Sequence, residues 1–272
     1  MTKERILITV KTYPTLSSKY DEVVCTAGLK ENGSWIRIYP IPFRKLDVYE
    51  QFKKFDWVEI DIERNSSDIR HESYRPKSEI NVLRNVDTSN DWLERRNLVL
   101  SNGTVFTSFE EILKLNKNDH KLSLATFKPT EIIDFTVEED GREWDKAKLQ
   151  AVELRAKQTD LFRDSPKYFK VVKKLPYKFR YVFKDDTGKI RKMMIGDWEI
   201  GALFWRELKR HNGNETKALC SVKNKYFNQL IEGRDIHFFV GTNQSWDLKN
   251  APNPFMIIGV FSPPIVLQEE LF

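Results

Sequence analysis

Sulfur and histidine are scarce in this sequence, and their scarcity removes whole classes of chemistry. Cys25 and Cys220 are the only cysteines among 272 residues. They form no Cys-x-x-Cys pair, which excludes a zinc site built on paired cysteines. Both thiols are expected to be buried, as is usual in a reducing compartment. The four histidines show no metal-ligand spacing. There is no Walker A loop, no GxGxxG, no GxSxG and no HExxH, so neither a cofactor nor a metal is expected. No apolar run approaches the roughly 18 residues of a membrane span. Met1-Thr-Lys-Glu-Arg5 leads straight into an alternating strand, without the apolar core of a secretory signal. A cytoplasmic chain without membrane contact is the expectation.

What is present describes a folded, basic protein. Forty per cent of the residues are hydrophobic and 31% are charged, which excludes a disordered chain. The length is enough for one large domain or two small ones. A net charge of +5 and a pI near 9.0 favour polyanionic partners. Aromatic residues reach 12%, and aromatics interleaved with Arg and Lys suit base stacking.

Strand signals dominate the first third. Ile6–Val10 and Val23–Leu29 alternate. The turn Glu31-Asn32-Gly33-Ser34 leads into Trp35–Tyr39, and Asn-Gly between two such runs signals a hairpin. Pro40 and Pro42 should end that ladder. Leu46–Phe55 reads as a short helix, Trp57–Ile62 as a strand with Val58, Ile60 and Ile62 on one face, and Ser78–Val86 as another strand. The middle is more helical. Asp91–Leu100 is a helix candidate, and Ser108 with Glu111 fits a capping box. Ile132–Val137 is a strand candidate, and Glu143–Ala156 an exposed helix. Strands resume at Tyr168–Val172, Tyr177–Phe183 and Ile190–Ile195. Asp197 then caps a helix running through Lys209, and Asn214 caps a second that reaches about Ile231. Ile236–Val240 and Phe255–Phe261 are apolar strands. The expected class is α+β, with an OB- or PUA-like β-barrel over 1–155, a linker over 156–166, a compact β-α-α-β unit over 167–262 and a tail over 263–272.

Cys25-Thr-Ala-Gly28 followed by Gly33-Ser-Trp35-Ile-Arg37 resembles bacterial dual OB domain-containing proteins, in which a Cys-x-Ala-Gly strand precedes Gly-x-Trp-Ile-Arg. The resemblance spans some 13 residues. It implies an OB-like barrel, a fold often used for single-stranded nucleic acid. Tyr177-Lys-Phe-Arg-Tyr181, Asp197-Trp-Glu199 and Asn253-Pro-Phe255 resemble a widespread bacterial type of unassigned function, which implies no activity. Gln158-Thr-Asp-Leu161-Phe162 and Gln268-Glu-Glu-Leu271-Phe272 share the pattern Gln-x-x-Leu-Phe. That pattern resembles the linear motif by which bacterial polymerases and repair proteins dock on the sliding clamp. Leu and Phe fill an apolar pocket while the Gln amide bonds at its rim. The alternative is that these residues staple linker and tail to the body.

Candidate nucleic-acid contacts are Trp35, Arg37, Tyr39, Arg44, Arg70 and Arg75, where basic and aromatic residues interleave. Period-two geometry puts Trp35, Arg37 and Tyr39 on one strand face. Their alternative reading is a core Trp and Tyr with a paired Arg. Asp197 and Glu199 are weak catalytic candidates, against a helix cap. Glu59 and Asp61 share a strand face, as nuclease carboxylates do, against a solvated face. The expected function is DNA binding, on single-stranded or locally opened DNA, with tethering to a bacterial sliding clamp and a role in repair or phage defence. A DNA-acting enzyme (a nuclease or a base-removing enzyme) and a plain protein-interaction module are the alternatives.

Overall fold

The computed structural model describes residues 2–17, 21–46, 50–68, 70–118, 121–160 and 171–266. Strand β1 (Thr2–Lys11) sends Ile6 and Ile8 to one core and Leu7 and Val10 to another. A register shift between Ile8 and Val10 re-aims its end. β2 (Thr15–Ser17), β3 (Asp21–Lys30) and β4 (Trp35–Ile41) follow. The β3–β4 hairpin turns where expected, with Gly33 at φ +78°, a conformation that glycine adopts without steric cost. β5 (Asp56–Arg64), β6 (Ser73–Pro76) and β7 (Asn81–Asn85) complete the sheet.

The order β1-β3-β4-β6-β5 returns to β1 through β1–β5 pairing, so five strands close into a barrel. β4 and β6 run parallel and the other barrel pairs antiparallel. This is an OB-like closure, with β2 and β7 appended to β3 and β5. Val58, Ile60 and Ile62 point into it, as their alternation requires, beside Ile36, Ile38 and Val24.

Helix α1 (Ser89–Arg96) and a wide turn over Asn97–Ser101 lead to β8 (Val105–Phe106), α2 (Phe109–Lys117), β9 (Leu124–Phe127), β10 (Glu131–Glu139) and α3 (Lys146–Asp160). Then come β11 (Tyr177–Lys184), β12 (Ile190–Met194), α4 (Trp198–Arg210), α5 (Glu215–Lys223), β13 (His237–Thr242), α6 (Gln244–Leu248) and β14 (Phe255–Phe261). Two sheets result, β10-β11-β12 and β14-β13-β9-β8. A parallel bridge between Ile195 and Ile257 links them. β11 alternates strictly, burying Tyr177, Phe179, Tyr181 and Phe183 against Phe204 of α4 and Val222 of α5.

A third core lies between barrel and second unit. The outward Leu7, Val10 and Leu29 meet Leu124, Phe239, Ile258 and Phe261. Each such side chain contributes about 1.5–3 kcal/mol on burial, so one wall of the barrel is a packing surface. The sheets divide after β7, and β8 to β10 belong to the second unit. A boundary at 155 therefore falls inside α3. The reason is pairing: β9 joins β13 and β10 joins β11, partners far apart in sequence.

Other expectations also change. Residue Leu46 and residues 50–55 form no α-helix. β4 runs through Pro40 to Ile41, which pairs Val24. Val171 and Val172 lie outside any strand, and Tyr168 lies outside the described residues. Cys25 is half-buried and Cys220 exposed. At about 100° per residue, Cys220 lies opposite Ala218 and Val222, which face the core. Among the described residues no helix is long and apolar enough to cross a membrane.

Candidate nucleic-acid interface

The end of β1, the turn before β5, α1 and the start of α4 meet around one groove. Three local features build it. Asp197 caps α4, its carboxylate accepting from the Glu199 backbone N–H at 3.2 Å. Lys54, in the turn before β5, donates to Asp197 Oδ1 and Oδ2 at 2.8 and 2.7 Å and to Glu199 Oε2 at 3.0 Å. Asp197 is fully buried. Burial alone would lower the Lys54 pKa, but the two carboxylates outweigh it and hold the ammonium charged. Asp197 and Glu199 thus do converge, on an ammonium rather than a metal. Gly201 lets Tyr13 lie on α4, since a Cβ there would sit 2.2 Å from the ring.

The groove has a volume of about 670 Å³. Seven basic side chains line it: Lys11, Lys53, Lys54 and Arg95 from the barrel side, and Arg206, Lys225 and Arg234 from the second unit. Glu199 is the one carboxylate in the same lining. Aromatic faces alternate with these cations. Phe55, Trp92, Trp198 and Tyr226 are all in the wall. The Arg95 guanidinium lies 4.1 Å from the Phe55 ring centroid and 5.2 Å from that of Trp92, and Arg234 lies 5.8 Å from Trp92. Stacking holds these guanidiniums in place while leaving N–H donors for a ligand.

Two wall residues occupy a conformation that bulky side chains avoid. Phe55 has φ +66°, and Trp92 ends a run of three positive-φ residues, Asn90, Asp91 and Trp92, at +48°, +51° and +64°. Phe55 is fixed by its N–H to the Ile8 carbonyl at 2.6 Å and by its carbonyl to the Val86 N–H at 2.8 Å. Strain held by its surroundings concentrates at binding sites.

Lys11 lies deep in this wall. Its ammonium donates to the Phe52 carbonyl at 3.0 Å and sits 4.3 Å from the Phe43 ring centroid. Burial first, and the Lys54 charge second, lower its pKa to about 8.

The residues expected from sequence lie elsewhere. Trp35 and Arg37 share the outward face of β4, but that face is covered. Trp35 meets Phe239 edge-on at 5.4 Å. Arg37 is 2% exposed, and its guanidinium donates to the Ser123 carbonyl and hydroxyl at 3.1 Å. Tyr39 is half-buried. Arg70 is buried, donating to Asp68 at 2.8 and 2.6 Å and to the Thr242 carbonyl at 3.1 Å. Arg75 braces Asn65 and Ser67. Arg44 binds Glu22 at 2.7 Å and faces a neighbouring, more apolar groove with Tyr13 and Trp205. Arg37 and Arg70 therefore join the units together and do not meet solvent. The second unit covers a strand face that period-two alternation leaves open. Glu59 binds Lys3 at 2.9 Å and Arg5 at 3.4 Å on the barrel's exterior, with Asp61 two residues on along the same strand. Among the described residues no cluster of His, Cys, Asp or Glu could hold a metal. Leu161, Phe162, Gln268, Leu271 and Phe272 lie outside the described residues, and Gln158 lies on α3. The cation groove escaped sequence reading because its members come from six separate stretches.

Fold and groove define a two-part α+β protein with an OB-like barrel and a cationic, aromatic-walled groove where the parts meet. The chain belongs to the family described as Domain of unknown function (DUF8757), whose model matches residues 105–272. Residues 2–101 match the model described as Domain of unknown function (DUF8758). The two matches meet where the barrel ends and β8 begins. No curated protein matches the chain. A solved structure described as a murine DNA-binding protein bound with ds DNA is similar at a TM-score of 0.32 and 9% identity, over 99% of both chains. Likeness at that level carries neither fold nor function across.

Proposed function

We propose that this protein binds DNA, single-stranded or locally opened, through the groove between barrel and second unit. One observation carries the reading: seven basic side chains line the groove, with Lys54 paired to Asp197 and Glu199 and Arg206 to Glu207, and they interleave with Phe55, Trp92 and Trp198. Cations at this density attract phosphates, and aromatic faces take bases of any sequence. The test is a titration of a single-stranded oligonucleotide at two salt concentrations. Binding is expected at low salt with a steep salt dependence. Arg206→Gln with Lys225→Gln should weaken it roughly tenfold and reduce the log–log salt slope by about 1.4, at about 0.7 per lost phosphate contact. Binding that ignores salt, or a double variant that binds normally, contradicts the groove.

Docking on a bacterial sliding clamp is a separate proposal, supported by the repeated Gln-x-x-Leu-Phe pattern alone. We take the copy at Gln268–Phe272 as the one to test first. Leu271→Ala with Phe272→Ala should remove most clamp binding in a surface-immobilised clamp assay. Unchanged affinity would show that these residues are not the anchor. Repair or phage defence fits a DNA-binding protein delivered to replicating DNA in this way.

A further inference from the structure

Lys11 differs from the other lysines of the groove: Lys53 and Lys225 are exposed and Lys54 is ion-paired, while Lys11 is half-buried. Among the described residues no carboxylate makes an ion pair with it. Asp197 and Glu199, the nearby acids, are both bound by Lys54. The Lys11 ammonium uses one of its three donors, on the Phe52 carbonyl. Around it stand the rings of Phe43, Phe52 and Trp198, at 4.3, 5.6 and 5.6 Å. An amine in an apolar, ring-lined wall beside a second cation has the arrangement by which proteins make lysine a nucleophile.

We infer that Lys11 is a nucleophile that forms an imine with the aldehyde of an abasic deoxyribose held in the groove. The inference rests on the DNA-binding reading above. The substrate follows from the neighbours. Flanking phosphates suit Arg95, Arg206 and Arg234, and a sugar lacking its base opens to an aldehyde at C1′ that an amine can reach without displacing a stacked base.

The step balances without any further reagent. The neutral Lys11 amine adds its lone pair to C1′, and the carbonyl oxygen takes up a proton. The carbinolamine then loses water, which carries away the oxygen and the nitrogen's protons, and a C=N bond remains. Nothing is oxidised or reduced. Burial first and the Lys54 charge second favour the neutral amine, against the opposing pull of Glu199, Asp56 and Asp197. More of it is therefore neutral near pH 7 than of an ordinary lysine.

The test uses the full chain with a single-stranded oligonucleotide carrying one abasic site, trapped by sodium cyanoborohydride and followed by denaturing gel and peptide mass mapping. Binding of the same oligonucleotide without the abasic site is measured by anisotropy alongside. The expected result is a covalent adduct mapped to Lys11, forming faster as pH rises from 6 to 8. Lys11→Arg, which keeps the charge but cannot form the imine, should lower adduct yield by about tenfold or more. Should that variant not fold, the mapped site in the unaltered protein decides. An adduct on another amine, or none while the intact oligonucleotide still binds, overturns the inference and leaves the groove standing. No binding of either oligonucleotide overturns both.

Discussion

Asp68 shows how a single side chain sets both geometry and acid stability. It binds Arg70 through both carboxylate oxygens and accepts from the Ser73 hydroxyl at 2.7 Å. Burial works against its charge, but these donors outweigh burial and hold its pKa at about 2, below the ordinary 3.8. The folded state therefore binds fewer protons than the unfolded state between those values. The resulting stability is complete above about pH 5 and is lost as pH falls toward 2, a contribution of about 2 kcal/mol. In urea titrations, Asp68→Asn should lower stability at pH 7 and flatten its dependence between pH 4 and 2. An unaltered acid profile would show that the pair contributes nothing. The same pair explains why Arg70 is unavailable to a ligand: a buried guanidinium with a buried carboxylate is committed to the fold.

Among the elements, α4 has the most tasks. Asp197 caps it, and Lys54 reaches across from the barrel to bind that cap. Asp197→Ala removes a cap and leaves a buried ammonium with only the exposed Glu199, so a loss of about 3–5 kcal/mol is expected in denaturant unfolding. Lys54→Met with Asp197→Leu should cost far less, because no uncompensated charge remains. If the single and double variants unfold alike, the pair is not what the cap depends on. Much of this element was legible: Asp197, Asn214 and Ser108 all cap the helices that their spacing predicted. Strands β1, β3, β4, β5, β11 and β14 follow from alternation and apolar runs. β6 was not legible, although it closes the barrel, because Ser73-Tyr-Arg-Pro76 is too short to show a period and its pairing with β4 is non-local. β9 escaped in the same way, since all four of its residues are buried and a fully buried strand has no polar face to alternate with.

For the whole molecule, the decisive event is the seam between the barrel and the second unit. It buries the face of β4 that carries Trp35 and Arg37, and it opens, at its other margin, the groove lined by Lys11, Lys54 and Arg206. A net charge of +5 is modest for a nucleic-acid-binding chain. What matters is its placement, since cations gathered in a concave wall focus the field there. The most direct measurement is photo-crosslinking to a single-stranded oligonucleotide containing a halogenated uracil, with the crosslinked peptides mapped by mass spectrometry. The account predicts crosslinks at Trp92 and Trp198, the aromatic faces of the groove, and a marked drop in their yield when Arg206 and Lys225 are replaced. Crosslinks confined to Tyr39 and Tyr74 on the barrel, with none in the groove, would contradict it.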